Sequence, residues 1–165
     1  MNNPPMSDHI EAIRFVEDNF DKLNEHHLVF NDSENTDKDL AEAVEDEYGV
    51  LYSKDGKRLM RGNTNLHAYT IKSGTMAICY DAFGGCDSLV NINIPDTVIF
   101  IGSSAFCGCT SLKSIHIPDA VTAIGDSAFE ACRSLESIRI PDAVTSIGDS
   151  AFAGCTSLTG MHIPE

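Results

Sequence analysis

The stretch "IRIPDAVTSIGDSAFAGCTSL" (residues 138–158) decides the fold, because the chain contains it three times. Moved back by 23 residues it is "IHIPDAVTAIGDSAFEACRSL" (115–135), and back by 23 again "INIPDTVIFIGSSAFCGCTSL" (92–112). A fixed period of this length signals a solenoid and has to be settled before any other reading. The phase is strict: Pro95, Pro118, Pro141 and Pro164 keep the 23-residue step, and so do Ile78, Ile101, Ile124 and Ile147. Phe83, Phe106, Phe129 and Phe152 follow it, as do Cys86, Cys109, Cys132 and Cys155, and Leu66, Leu89, Leu112, Leu135 and Leu158.

Each part of the unit has a local reason. Leu112-x-x-Ile115-x-Ile117 ends in the alternation of a half-buried strand. Pro118 closes it, since it offers no ladder donor and holds the preceding residue extended. Asp119 begins a turn. Val121-x-x-Ile124 forms a second apolar stretch across the coil, and Gly125 stops it with access to positive φ. Asp126 then predicts a helical turn through Ala128 and Phe129. Thr110 and Ser111 lead into the next strand.

One coil cannot bury its own apolar side chains, whereas stacked coils can, because equivalent residues superpose at the ~4.8 Å strand spacing. The predicted inward set is Leu112, Ile115, Ile117, Val121, Ile124, Ala128, Phe129, Cys132 and their equivalents. Strands are expected near 66–71, 89–94, 112–117, 135–140 and 158–163. The fold class that follows is an α/β repeat protein: a right-handed solenoid with a parallel concave sheet, preceded by a helical and hairpin cap.

The stretches "IPDAVTSIGDSAFAGCTSLTGMHIP" (140–164) and "YGVLYSKDGKRLMR" (48–61) resemble the repeat of BspA-type leucine-rich repeat proteins and the hairpin that often precedes it. The resemblance implies a leucine-rich repeat fold and a non-catalytic, protein-binding role, often in surface or secreted adhesin-like proteins.

Three regions are expected. Residues 1–47 form an acidic helical segment, 48–63 a β-hairpin cap with Asp55-Gly56 in its turn, and 64–165 the solenoid, with one degenerate and about four regular repeats. Within the first, Ile10, Ile13, Val16, Phe20 and Leu23 make a helical stripe over residues 8–23, with Asp8 and Glu11 spaced as a capping box. A shorter helix is expected from Asp37 to Glu45. The chain's net charge of −14 is uneven. Residues 1–47 hold 14 acids and three bases (−11), and residues 48–165 hold 11 acids and 8 bases (−3). Such a balance repels a phosphate backbone, so nucleic acid is excluded as a partner.

No apolar run reaches the ~18–20 residues of a membrane helix, so membrane insertion is not expected. No basic region followed by an apolar stretch opens the chain, which predicts a cytoplasmic protein; the resemblance predicts the cell surface. The chain ends after a strand without a polar cap, which leaves an edge open to homo-oligomers or further repeats.

Between the inward residues the strands carry outward ones that change from coil to coil: Thr70, Asn93, His116, Arg139 and His162 in one row, Asn91, Ser114, Ser137 and Gly160 in the next, and Val90, Lys113, Glu136 and Thr159 beyond. Asn91, Asn93, Lys113, His116, Glu136, Arg139 and His162 are the candidate partner-binding residues, with Arg139 able to fork onto a carboxylate. A solvated strand face is the simpler reading of the same rows. His116 and His162 lie two strands (~10 Å) apart, too far to share a metal. The cysteine ladder follows the period and reads as buried thiols rather than disulfides or a metal site. The Asp96, Asp119 and Asp142 column reads as wet turns, with calcium the weaker alternative. No nucleophile elbow, catalytic triad order or phosphate loop is present, so neither enzyme activity nor a cofactor is expected.

Overall fold

The computed structural model describes residues 35–163. The predicted helix over 8–23 and Pro164 lie outside these. The chain coils about five times into a sheet-rich solenoid. Among the described residues the only α-helix is α1 (Asp37–Ala41). It is opened by Thr36, whose hydroxyl accepts from the Asp39 amide while the Asp39 carboxylate accepts from the Thr36 amide. This helix stops short of the expected Glu45. Val44–Glu45 instead form β1, antiparallel to β2 (Leu51–Tyr52), which pairs antiparallel with β3 (Arg58–Arg61).

Two strand columns then run along the coils. The first comprises β5 (Ala77–Ile78), β7 (Phe100–Ile101), β8 (Ala123–Ile124) and β10 (Ser146–Ile147), all parallel. It joins β1–β3 in one seven-stranded sheet, with β3 parallel to β5. The second holds β4 (Ala68–Thr70), β6 (Asn91–Asn93), β9 (Ser137–Arg139) and β11 (Gly160–His162). Here the structure corrects the expectation of five continuous strands. β4–β6 and β9–β11 are separate pairs, and residues 112–117 contribute only the Ser114–Ser137 bridge. The ladder loosens at that point: Lys113 N–H reaches Val90 O at 3.5 Å, against 2.8 Å for Val90 to His67 and 3.1 Å for Glu136 to Lys113. The long continuous sheet is therefore built on the Val-x-x-Ile side of the coil.

The third side of the coil also departs from expectation. No helical turn forms at Asp126; a run of tight turns bonds laterally instead. Phe83, Phe106 and Phe129 amides donate to Ala105, Ala128 and Ala151 carbonyls at 2.7–2.8 Å, while Ala128 and Glu130 amides bond three residues back. A helix spends its amides on itself. Here every second amide goes to the next coil, which holds the coils in register. The arrangement needs left-handed backbone at Ser127 (φ 51°) and Ala131 (φ 56°), not at Gly125. Gly125 is required for a different reason: a Cβ there would sit 2.4 Å from the Ser103 nitrogen. Asp126 accepts from the Asp149 amide of the following coil at 2.8 Å rather than capping its own turn.

The core is the set of inward columns. Leu112, Val121, Ala128, Phe129 and Cys132 are completely buried, and Ile115, Ile117 and Ile124 are buried as well. Phe83, Phe106, Phe129 and Phe152 stack in one interior file with centroids 5.3–5.4 Å apart and planes within 5° of parallel. Burying each large side chain contributes roughly 1.5–3 kcal/mol before chain entropy is charged. The cysteines are free thiols beside this file. Cys109, Cys132 and Cys155 Sγ–H donate to the carbonyls of Phe83, Phe106 and Phe129 at 3.1–3.2 Å. The Cys column is thus a hydrogen-bonding ladder as well as packing.

Candidate functional site

In the second column β4, β6 and β9 alternate exposed, buried, exposed, because successive side chains leave a strand on opposite faces, while all three residues of β11, in the last described coil, are exposed. The register sets Ala68 beside Asn91 and Thr70 beside Asn93, and further along Ser137 beside Gly160 and Arg139 beside His162. All seven candidate residues, Asn91, Asn93, Lys113, His116, Glu136, Arg139 and His162, have exposed side chains.

The structure does not gather them into one site. A groove of about 580 Å³ is lined by Thr70, Asn91, Asn93, Ser114 and His116, with Tyr69 and Ile92 in its floor and Tyr48 on its wall. Lys113, Glu136, Arg139 and His162 do not line it. Arg139 is engaged by its own chain, with Nη1 2.7 Å from Asp119 Oδ1 in the preceding coil. That hydrogen bond and charge hold the Asp119 carboxyl below its ordinary value. The Asp119 side chain is thereby placed as an ion-pair partner.

Tyr48 is the groove residue that the repeat pattern misses, because it precedes the repeats. Its ring is half exposed and meets Tyr69 edge-on at 5.9 Å and 77°. Asp46 positions it. Asp46 Oδ1 accepts the amides of Tyr48 and Val50, both at 2.9 Å, and Asn63 Nδ2 donates to the Tyr48 carbonyl at 3.0 Å. Asp46 Oδ2 accepts from the Tyr69 hydroxyl at 2.5 Å, and the Tyr69 and Tyr52 hydroxyls lie 2.7 Å apart in the buried interior. The Lys72 amide donates to the Tyr52 hydroxyl at 3.2 Å, and its ammonium lies 4.7 Å from the Tyr52 ring centre. Burial alone would raise the Asp46 carboxyl, but the hydrogen bonds from Tyr69, Val50 and Tyr48 outweigh it and hold the group below its usual value. Burial and the neighbouring carboxylate push the Tyr69 phenol well up, so it stays a neutral donor. An exposed aromatic directly before a glycine, in Tyr48-Gly49, is the one sequence signal that could have marked it.

Among the described residues no three His, Cys, Asp or Glu side chains come together as a metal site, and no helix is long and apolar enough to cross a membrane. The groove offers amide, hydroxyl and imidazole hydrogen-bonding groups beside the Tyr48 ring.

In comparisons with known proteins, the BspA type leucine rich repeat region matches residues 59–165 in six copies. No curated protein matches the chain. Among solved structures it is similar to a leucine rich cell surface protein from Faecalibacterium prausnitzii, at 31% identity and a TM-score of 0.60 over 73% of this chain and 39% of that one. It is likewise similar to a T. pallidum leucine rich repeat protein, at 34% identity and a TM-score of 0.60 over 61% of this chain and 47% of that one. This chain thus spans less than half the length of either. A leucine-rich repeat protein from Bacteroides capillosus shares the fold, at 24% identity and a TM-score of 0.64 over 75% of this chain and 99% of that one.

Proposed function

The chain belongs to the BspA-type leucine-rich repeat family, and on that premise we propose that it is a non-enzymatic binding module whose strand-face groove takes an extended protein or peptide segment. One observation carries this. Inward positions hold nearly the same residue in every coil, while the outward positions Thr70, Asn93 and His116, and Ala68, Asn91 and Ser114, differ and share one groove. Asparagine amides donate and accept at once, so they can bond both groups of a peptide backbone. Tyr48 adds an apolar surface with a polar tip, the residue type enriched where proteins recognise one another. A carboxylate-bearing partner would compete with Asp119 for Arg139, making that residue a secondary contact. The finer form of the proposal is a surface-located, adhesin-like protein. The description of the F. prausnitzii relative as a cell surface protein supports it.

Selection of displayed random peptides on the full chain tests the groove. Selected peptides are expected to lose at least tenfold in affinity for the triple variant Tyr48→Ala, Asn93→Ala, His116→Ala. Unchanged binding by that variant removes the groove as the site.

A second reading is favoured by the last described coil. There Ile147, Met161 and Ile163 are 39%, 38% and 56% exposed, and β10 and β11 end their sheets. Stacking of this edge on a second copy would make assembly the function. A mass by light scattering that stays monomeric across concentrations rules it out.

A further inference from the structure

The hydrogen bonds between coils are polarised, and in opposite senses on two sides of the coil. On the turn side the amides reach the following coil. Ser104, Phe106 and Gly108 donate to the carbonyls of Asp126, Ala128 and Glu130, and Ser127, Phe129 and Ala131 to those of Asp149, Ala151 and Ala153, all at 2.7–2.9 Å. On the Val-x-x-Ile side the carbonyls reach forward instead. Ile99 and Ile101 accept from Thr122 and Gly125, and Thr122 and Ile124 from Thr145 and Gly148, at 2.7–2.9 Å. In the last described coil the groups of the same phase are the Ser150, Phe152 and Gly154 amides and the Thr145 and Ile147 carbonyls. They face an edge that no coil covers among the described residues. Between the two rows Ile147, Met161 and Ile163 are exposed, and Phe152 and Leu158 are only half-buried. Edge strands that avoid pairing carry lysine or proline, and neither occurs in β10 or β11. Residues 140–163 hold Asp142 and Asp149 but no Lys, Arg or Glu.

We propose that this edge pairs with the same edge of a second copy, about a two-fold axis lying in the plane of the edge. The proposal rests on the reading of the edge as a self-association surface and fixes its geometry. The axis runs from the middle of β11 to the opposite corner of the coil, at Gly148-Asp149. Rotation about it lays β11 antiparallel on its own copy. It also exchanges the other two sides of the coil, so each row of carbonyls meets the partner's row of amides. A two-fold through either of the other corners sets carbonyls against carbonyls or amides against amides, and unpaired backbone groups are costly once buried. The far end of the solenoid offers no substitute. There the Lys57 and Leu59 carbonyls accept the Met76 and Cys79 amides, and the Gly62 amide donates to the Ala82 carbonyl, so the rows of the first coil are engaged within the chain. The outer strand at that end, β1, carries Glu45, with Asp46 and Glu47 following. Pairing of one patch with itself closes at two copies. The two strand faces then join on one side of the dimer, and Asn93 of one groove lies seven strand spacings (~34 Å) from Asn93 of the other. A partner with two epitopes at that separation is held at both.

Sedimentation equilibrium of the full chain, with Met161→Cys as a cross-linking variant, tests this. A concentration-dependent dimer without larger species is expected. Under mild oxidation Met161→Cys is expected to give a disulfide between the two copies through position 161, identified by peptide mass spectrometry. Met161→Lys with Ile163→Lys alters side chains already exposed in the single chain and places like charges across the axis. It is expected to weaken the dimer about tenfold or more while leaving the circular dichroism of the protomer unchanged. A dimer that forms no 161–161 link, or masses that grow beyond two copies, overturns the two-fold geometry and leaves edge association standing. A monomer at every concentration, or a dimer indifferent to the lysine pair, overturns both.

Discussion

Phe106 and Phe129 stack 5.3 Å apart with planes 5° from parallel, although 23 residues separate them in sequence. Each ring is the floor for the next, so the cost of removing one depends on how many neighbours it has.

Phe129→Ala is accordingly expected to cost about 3–5 kcal/mol, the range for a fully buried ring that leaves a cavity. Phe152, half-buried at the end of the described file, is expected to cost clearly less. Denaturant unfolding of the two variants checks the ordering; equal losses would mean the file does not end where the structure places it.

Gly125 and Gly108 are glycine for different reasons, and alanine separates them. A Cβ on Gly125 meets the Ser103 nitrogen at 2.4 Å, whereas one on Gly108 meets nothing nearer than 3.6 Å. Gly108 has φ 74°, and the equivalent residue in the next coil, Ala131, already adopts φ 56°. Gly108→Ala is expected to cost about 1–2 kcal/mol for the left-handed backbone. Gly125→Ala has to push two coils apart and is expected to cost more, about 3 kcal/mol or above. Thermal melts that reverse this order would refute the close-approach explanation.

The thiols should divide by burial. Burial pushes Cys86 up to about 11 and Cys79 and Cys132 up to about 12. At neutral pH they hold almost no thiolate, the nucleophilic form. Cys107 and Cys155 are only half-buried. A thiol reagent at pH 8 is expected to label those two first in the native chain, and all six only on unfolding. Prompt labelling of Cys132 would contradict the buried ladder.

Asp46 predicts acid sensitivity of the N-terminal end. Its carboxyl is held below its unfolded value, so its stabilisation is complete above about pH 4, the unfolded carboxylate range, and is lost as pH falls through the folded value. Asp46→Asn keeps an acceptor for the amides but turns a donor toward Tyr69 in one orientation, with an expected cost of about 1–2 kcal/mol. Following amide exchange of residues 46–52 between pH 6 and 3 checks both points. The variant should lose the acid-induced change that the wild type shows; an identical profile would show that Asp46 does not pin the cap.

Much of this molecule can be read from the chain alone because its core contacts repeat with the sequence. Leu112, Ile115, Val121, Ile124 and Phe129 recur at a fixed step, and a recurring apolar residue in a solenoid stacks on its own copies. The outward row was legible by the same logic, since whatever is not inward on an alternating strand faces out. Polar and backbone partners were less legible. The sequence marks Arg139 as able to fork onto a partner's carboxylate, yet it pairs with Asp119 in the neighbouring coil. The local pattern at Asp126 predicts a helix start, yet its carboxylate accepts an amide from the next coil.

The 23-residue period, the identity of the buried columns and the exposure of the strand row follow from sequence, because burial in a stacked repeat is decided by side-chain type at each phase of the coil. Which amides bond sideways, where the strand ladder loosens near Ser114, and the placing of Tyr48 in one groove with Asn93 and His116 were decided only by tertiary structure. Those depend on distances between coils and on a hairpin outside the repeat, and no local pattern encodes how far apart two backbones settle.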